Sequence, residues 1–141
     1  MKVIVDTDIY IDYFNKGTHE EIFLRDGYFK YLAPIIITEL LAGCKRDEER
    51  KIIEKLRYIS EKSNRIVLHP LQDYITAGNI LNTLKRKMGY DVKKSASLTN
   101  DVFIAISAWK IGAILFTKNG KDFKAIQSYI PFKLEIVEQT S

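Results

Sequence analysis

Four acidic residues of this 141-residue chain each lie where a predicted strand gives way to a helix. They are Asp6, Glu39, Asp101 and Asp122. In a parallel α/β sheet the carboxyl ends of the strands share one edge, where such folds bind ligands. Two carboxylates about 4 Å apart repel each other by roughly 4 kcal/mol at an effective dielectric constant of about 20. A divalent cation with oxygen ligands relieves that repulsion. The pattern therefore predicts a metal site, and a metal held by carboxylates serves phosphate chemistry.

Asp8 and Glu39 also have simpler interpretations than metal binding. Asp8, two residues after Asp6, is better explained as a helix cap than as a ligand. Asp6 itself sits at the end of the strand, where ligands bind. Glu39 lies within an apolar helical segment, where it is costly unless it is paired, bound to a cation or turned to solvent.

The last two acidic positions are open to the same kind of explanation. Asp101 suits the first turn of a helix capped by Thr99 or Asn100, because the helix dipole favours a carboxylate there. Asp122 suits the first turn of a helix capped by Asn119. The metal interpretation rests on all four carboxylates occurring along one sheet edge.

Composition and length describe an ordinary globular chain. Hydrophobic residues make up 46% and charged residues 28%, and the length suits one domain over residues 1–141. With Cys44 as its one cysteine, the chain has no internal disulfide, which favours a reducing, cytoplasmic setting. No apolar run approaches the roughly 20 residues that cross a bilayer, so no membrane association is expected. The net charge of +4 is compatible with a polyanionic partner.

Hydrophobic patterning predicts alternating strands and helices. The predicted strands are Lys2–Val5 and residues 31–34, 65–68, 113–117 and 132–137. The predicted helices are residues 8–15, 19–26, 35–43, 47–60, Leu71–Met88, 97–111 and 119 or 120 to 128. Thr18 is the expected cap of the second helix. In Leu71–Met88 an apolar face is shared by Leu71, Tyr74, Ile75, Gly78, Leu81, Leu84 and Met88. This alternation predicts a three-layer α/β/α fold with a parallel five-stranded sheet.

A basic stretch precedes the segment that carries Asp101. Its members are Lys85, Arg86, Lys87, Lys93 and Lys94, on either side of Gly89 and Tyr90. Such a cluster can bind a phosphate backbone, and is also typical of a solvated helix end. His19 and His69 lack the spacing of metal ligands and are expected to be structural.

Four segments carry a resemblance to a known family. They read Val-Asp-Thr-Asp-Ile-Tyr-Ile-Asp, Thr-Glu-Leu-Leu-Ala-Gly, Asn-Asp-Val-Phe-Ile-Ala and Phe-Thr-Lys-Asn-Gly-Lys-Asp-Phe. In this order and at these spacings they resemble the motifs of PIN-domain ribonucleases, particularly the VapC-type toxins of toxin–antitoxin pairs. The resemblance spans almost the whole chain, and its last motif is the most specific.

The resemblance implies a set of site residues. Mg²⁺ or Mn²⁺ would be held by Asp6, Glu39, Asp101 and Asp122, which are then also the catalytic residues. Thr117 and Asn119 would support the site. Position 8 is usually Ser or Asn in this family, so Asp8 is a departure, and the extra carboxylate bears on metal number or preference.

The resemblance also implies a function. It indicates an endoribonuclease that hydrolyses RNA phosphodiester bonds, a cognate antitoxin partner, a homodimer and a sheet with Asp6 near its centre. The apolar side chains of Ile52, Ile53, Leu56 and Ile59 are the expected docking surface for a partner helix. Two alternatives stay open: a haloacid dehalogenase-like phosphatase using Asp6, whose family expects Thr or Val where this chain has Tyr10, and a non-catalytic RNA- or protein-binding module on the same fold.

Overall fold

The computed structural model describes residues 1–91 and 96–138, which form a parallel sheet surrounded by helices. The strands are β1 (Lys2–Val5), β2 (Phe29–Tyr31), β3 (Ile114–Thr117) and β4 (Lys133–Ile136). The helices are α1 (Thr7–Lys16), α2 (Glu20–Phe23), α3 (Pro34–Ala42), α4 (Asp47–Lys62), α5 (Leu71–Met88), α6 (Ala96–Ile111) and α7 (Gly120–Gln127). All strand pairs are parallel, and the predicted α/β/α class is confirmed.

The inner strand β1 positions the first acidic residue. The sheet order is β2-β1-β3-β4, so β1 has a neighbour on each side. Val3, Ile4 and Val5 are fully buried, because a parallel strand covered on both faces is apolar at every position. Asp6 follows this strand directly, and its backbone N–H donates to the carbonyl of Phe116 at 2.9 Å. The expected place of Asp6 near the centre of the sheet is therefore confirmed.

The predicted fifth strand, residues 65–68, is wrong. This segment makes one isolated parallel bridge, between Leu32 and Ile66. The pairing stops there because this register sets Leu68 opposite Pro34, where α3 begins. The sheet in the described part of the chain has four strands.

The region between α1 and α3 also differs from the prediction. The second strand covers Phe29–Tyr31 and not residues 31–34, and α2 is a single turn over Glu20–Phe23. Thr18 does not cap this helix: the N-cap is His19, with a left-handed φ of 68° and no side-chain capping bond. Thr18 Oγ1 is buried without a hydrogen-bond partner in the described residues.

Helix α5 has the predicted bounds but a different buried face. It ends at Gly89, whose φ of 70° is the left-handed conformation that stops a helix. The residues it buries are Asp73, Ala77, Ile80 and Leu84. Leu71 is 75% exposed and Tyr74 57% exposed, so most of the apolar face read from the sequence points to solvent.

Helix α6 forms the centre of the core, as its apolar sequence predicted. Its fully buried side chains include Val102, Ile104, Ala105, Ile106 and Ala108. Helices α3, α5 and α7 and strands β1 and β3 all contact it. This packing fixes the orientation of Asp101, which directly precedes the apolar part of the helix. Within the described ranges no helix is long and apolar enough to cross a membrane.

A buried carboxylate joins α5 to the end of α6. Asp73 accepts hydrogen bonds from Lys110 Nζ at 2.6 Å and from His69 Nδ1 at 2.9 Å. His69 Nε2 in turn lies 3.2 Å from Ser107 Oγ. Burial opposes ionisation of Asp73, but the bonds from Lys110 and His69 outweigh it and hold its pKa below the usual 3.8. His69 thus belongs to a packing network, away from the acidic pocket described below.

Asp73→Asn should lower the free energy of unfolding at pH 7 by about 2 kcal/mol, because Lys110 and His69 lose a charged acceptor. Because the pKa of Asp73 is lowered in the folded protein, the stability that Asp73 contributes is present above pH 3.8. That stability is lost as the pH falls through the pKa of Asp73 in the folded state. Urea denaturation at pH 7 and at pH 3 measures both effects. The exposed Asp26→Asn is the control, and an Asp73→Asn protein as stable as wild type at pH 7 would contradict the assignment.

Candidate active site

The four predicted acidic residues lie close together, but only two of them follow strands. Asp6 follows β1, and Asp122 lies in the first turn of α7 after β3. Glu39 lies within α3 and Asp101 within α6, each in the second turn of its helix. The expectation that all four lie at strand-to-helix junctions is therefore wrong for Glu39 and Asp101. Their side chains reach the cluster from within helices.

An open polar pocket of about 500 Å³ marks the place where these side chains meet. Its lining residues are Asp6, Thr7, Asp8, Glu39, Ser97, Asp101, Lys118 and Asn119. Asp122 joins the cluster through Asn119, whose Nδ2 donates to Asp101 Oδ2 at 3.1 Å and to Asp122 Oδ2 at 3.0 Å. One neutral amide thus lies between two carboxylates.

Asp6 is held through both carboxylate oxygens. Oδ1 accepts from the backbone N–H of Thr7 and Oδ2 from Thr117 Oγ1, each at 2.8 Å. The first of these bonds makes Asp6 the N-cap of α1. The preference for Asp8 as the cap is therefore wrong: Asp8 is exposed and lines the pocket.

Glu39 is half-buried and paired, so the interpretation that it turns to solvent is wrong. Thr7 Oγ1 donates to Oε1 at 2.6 Å and Asn100 Nδ2 donates to Oε2 at 3.2 Å. From the sequence, Thr7 had no predicted role and Asn100 was considered only as a helix cap. Each immediately adjoins one of the acidic residues, Asp6 or Asp101, and that adjacency is the signal that would have identified it.

The last motif forms the support predicted for it. Asn119 caps α7 by accepting from the backbone N–H of Asp122 at 3.4 Å, and its own N–H donates to Thr117 Oγ1 at 3.0 Å. Tyr90 Oη donates to Asp122 Oδ1 at 3.2 Å, a contact that the sequence did not indicate. The capping explanation of Asp122 is thus present together with its place in the cluster.

The capping explanation of Asp101 is wrong. Helix α6 begins at Ala96, before Thr99 and Asn100, so neither of these residues is its cap. Asp101 instead lies on the buried side of the helix, 7% exposed, and accepts from Asn119.

Burial and mutual repulsion make two of the carboxyl groups poor acids. Burial raises the pKa of Asp101 to about 8, and the negative charges of Asp6, Asp122 and Glu39 add to the effect. Burial also raises the pKa of Asp6 to about 6, although the hydrogen bonds from Thr117 and Thr7 oppose it. Without a cation the cluster therefore keeps a proton at neutral pH.

The donor set fits a hard divalent cation. The ligand atoms it offers are carboxylate oxygens, the kind that Mg²⁺ and Mn²⁺ prefer. As they stand, no three His, Cys, Asp or Glu side chains of the described residues are grouped tightly enough to hold one ion. Mg²⁺ is commonly bound through one or two carboxylates with water in its other positions, and the open pocket leaves room for that water.

The predicted basic stretch lies beside this site only in part. Lys85, Arg86 and Lys87 are exposed in the last turn of α5. Three residues after Lys87, Tyr90 reaches Asp122, so this turn leads toward the acidic cluster. Lys93 and Lys94 fall outside the described residues. Lys118, in the loop between β3 and α7, lines the pocket directly.

Comparison with known proteins places these motifs in a family. Residues 3–128 match the family model of the PIN domain. Ribonuclease VapC1 of Rickettsia felis is 32% identical over 130 residues, which cover 90% of this chain and 92% of that protein.

Two solved structures share the fold. A chain of VapBC-1 from nontypeable Haemophilus influenzae aligns with a TM-score of 0.67 and 23% identity, over 96% of this chain and 98% of that one. A chain of VapBC2 from Rickettsia felis, solved bound to a DNA fragment from their promoter, aligns with a TM-score of 0.68 and 23% identity, over 98% and 100%.

Asp101→Asn should stabilise the metal-free protein. On folding, the pKa of Asp101 rises from 3.8 to about 8. The folded state therefore holds this proton more tightly than the unfolded state, and its stability falls as the pH rises from 3.8 to about 8. Asn keeps an acceptor for Asn119 without the charge. Denaturation in EDTA should therefore show a gain of at least about 1.4 kcal/mol at pH 8, the equivalent of one pKa unit, and a smaller gain at pH 5. A variant less stable than wild type at pH 8 would make Asp101 a structural partner.

Proposed function

Because the chain belongs to the PIN domain family, among its VapC-type members, we propose that it is a metal-dependent endoribonuclease and the toxin of a type II toxin–antitoxin system. The observation that carries this proposal is the carboxylate cluster at one pocket: Asp6, Glu39 and Asp101 line it, Asp122 joins through Asn119, and the cluster retains a proton at neutral pH. Such a cluster gains most from a divalent cation, either Mg²⁺ or Mn²⁺.

The chain's own residues have distinct tasks in this mechanism. Asp6, Glu39, Asp101 and Asp122 bind the cation, directly or through water. A bound cation supplies a more acidic water and neutralises charge at the phosphate. Asn119 keeps Asp101 and Asp122 at a fixed separation, and the hydrogen bond from Thr117 fixes the carboxylate of Asp6. Fixed ligands accelerate the reaction because little reorganisation remains when charge develops.

The two alternative functions have less support. A phosphatase mechanism needs Asp6 as a free nucleophile, yet both its oxygens accept hydrogen bonds and the residue is 8% exposed. Tyr10 is buried at the position where that family expects a smaller Thr or Val. A non-catalytic binding module would have the same pocket but no metal-dependent cleavage, which the experiment below measures.

The exposed basic turn of α5 supplies an RNA contact. Lys85, Arg86 and Lys87 precede Tyr90, which contacts Asp122, so an RNA strand bound along this turn passes toward the acidic pocket. Contacts of this kind are electrostatic and independent of base sequence, and they weaken as salt concentration rises. Lys93 and Lys94 extend the same proposal to residues outside the described ranges.

A groove of about 310 Å³ beside α4 is the docking site of the antitoxin. Ile11, Phe14, Leu40 and Ile52 contribute apolar surface to it, which suits an amphipathic partner helix. Of the docking residues expected from the sequence, Ile52 and Ile53 line the groove, whereas Leu56 and Ile59 do not. A basic side chain of the antitoxin that reached the acidic pocket would compete with the cation.

A second exposed apolar surface suits the homodimer. Leu68, Leu71, Tyr74 and Ile75 lie at and just before the start of α5 and are between 48% and 75% exposed. A cluster of large apolar side chains in solvent is typical of an interaction surface. An RNA substrate and an unpaired Cys44 both fit a reducing compartment, and we place the protein in the cytoplasm as a single domain.

Purified protein should cleave RNA with Mg²⁺ or Mn²⁺ and stop in EDTA. Asp6→Asn and Asp101→Asn should each lose at least about a hundredfold in rate, roughly 2.7 kcal/mol of transition-state stabilisation, while the exposed Asp26→Asn keeps wild-type activity. Gel assays on single-stranded and structured RNA measure this. Full activity in EDTA, or in either site variant, would remove the metal-dependent assignment.

The antitoxin groove is tested in cells. Expression of the chain alone should arrest growth, and co-expression with the gene immediately upstream should rescue it. Ile52→Asp should abolish that rescue by placing a charge in the groove, whereas Ile59→Asp, on the same helix but outside the groove, should still be rescued. Rescue of both variants would refute the groove, and growth of cells that express the wild-type chain alone would refute the toxin role.

A further inference from the structure

Lys118, which lines the acidic pocket, belongs to a network of hydrogen-bonded side chains with Asp12 and His19. Lys118 Nζ donates to Asp12 Oδ2 at 2.6 Å, and His19 Nε2 lies 3.0 Å from the same oxygen. These side chains are largely shielded from solvent: 19% of Lys118, 14% of Asp12 and 2% of His19 is exposed. The hydrogen bonds from Lys118 and His19 hold the pKa of Asp12 below its usual value. These three side chains join α1 and the turn before α2 to the loop between β3 and α7.

Lys118 differs from a surface lysine in its position. Of the described residues that line the pocket, it alone carries a positive charge. Its neighbours along the chain both belong to the site, since Thr117 donates to Asp6 and Asn119 donates to Asp101. The backbone of Lys118 is therefore fixed beside the carboxylates, and only its side chain has a choice of partner.

The ammonium group of Lys118 pairs with Asp12 and not with the carboxylates of the pocket. A free ammonium group beside Asp6, Glu39 and Asp101 would pair with them and compete with a cation for the same oxygens. Asp12, supported by the buried ring of His19, binds the ammonium instead. The bond to Asp12 uses one of the three N–H groups of the ammonium, which has the capacity to donate also to an acceptor that enters the pocket.

We propose that Lys118 binds a non-bridging oxygen of the scissile phosphate and that Asp12 and His19 position it for this contact. The proposal rests on the nuclease function proposed above. Lys118 then stabilises negative charge that develops on the phosphate, while Asp12 keeps its ammonium group off the carboxylates that bind the cation. Lys118 is the catalytic residue of this group, and Asp12 and His19 are positioning residues.

The first test replaces Lys118 and measures two quantities. Lys118→Met keeps the apolar stem without the charge, and Lys121→Met removes an exposed lysine of α7 that does not line the pocket. Under single-turnover conditions Lys118→Met should reduce the cleavage rate about a hundredfold, with Lys121→Met near wild type. Mn²⁺ binding, followed by electron paramagnetic resonance without RNA, should be at least as tight in Lys118→Met, because the pocket loses a positive charge.

Opposite outcomes have distinct meanings. Cleavage by Lys118→Met within twofold of an active wild type would overturn the proposal. So would a loss of Mn²⁺ affinity that parallels the loss of cleavage, because it would show a collapsed site. Partial recovery of the rate in Lys118→Arg would support phosphate contact. If the wild type itself shows no metal-dependent cleavage, the proposed function fails before this question arises.

The second test asks whether Asp12 acts through Lys118. Asp12→Asn should weaken Mn²⁺ binding and slow cleavage about tenfold, because the released ammonium group pairs with the metal-binding carboxylates. Both effects should vanish in the Lys118→Met background, where the double variant should match the single Lys118→Met. Equal effects of Asp12→Asn with and without Lys118 would make Asp12 a structural residue of α1 and overturn its positioning role.

Discussion

The structure depends on keeping several negative charges close together in a largely buried place. Asp6 and Asp101 are 8% and 7% exposed, and neither forms a salt bridge with another described residue, so a proton or a cation relieves their repulsion. The side chains that donate hydrogen bonds to Asp6, Glu39 and Asp101 are neutral: Thr7, Thr117, Asn100 and Asn119. A basic residue in their place would stabilise the fold but fill the site. The inner strand β1 and the apolar helix α6 provide the rigidity that holds this arrangement.

The fold was predictable where local pattern and burial agree. The bounds of β1 and α5 follow from a continuous apolar run and from the stop at Gly89. The burial of α5 was not predictable, because Asp73 faces inward to meet Lys110 while Leu71 faces solvent. The composition of residues 65–68 predicts a strand, but the start of α3 at Pro34 on the facing segment leaves room for one bridge. These outcomes depend on partners distant in sequence.

The acidic cluster was predictable from residue type and motif, whereas its hydrogen-bond geometry was not. The family resemblance identified the four carboxylates, but it did not indicate that Glu39 and Asp101 lie within helices. Thr7 and Asn100 adjoin assigned residues, so their roles follow once the helix phases are known. The sequence did not indicate a role for Lys118, because a lysine in a loop is indistinguishable by sequence from an ordinary surface lysine. Its contact with Asp12 distinguishes it in the structure.

The central claim is that a cation replaces a proton in this cluster. Calorimetric titration with Mg²⁺ at pH 7, in buffers of different ionisation enthalpy, counts the protons released on binding. The raised pKa of Asp101, about 8, predicts release of about one proton from the wild type and markedly less from Asp101→Asn. Mg²⁺ binding to the wild type without proton release, or with the same release from both proteins, would contradict the account.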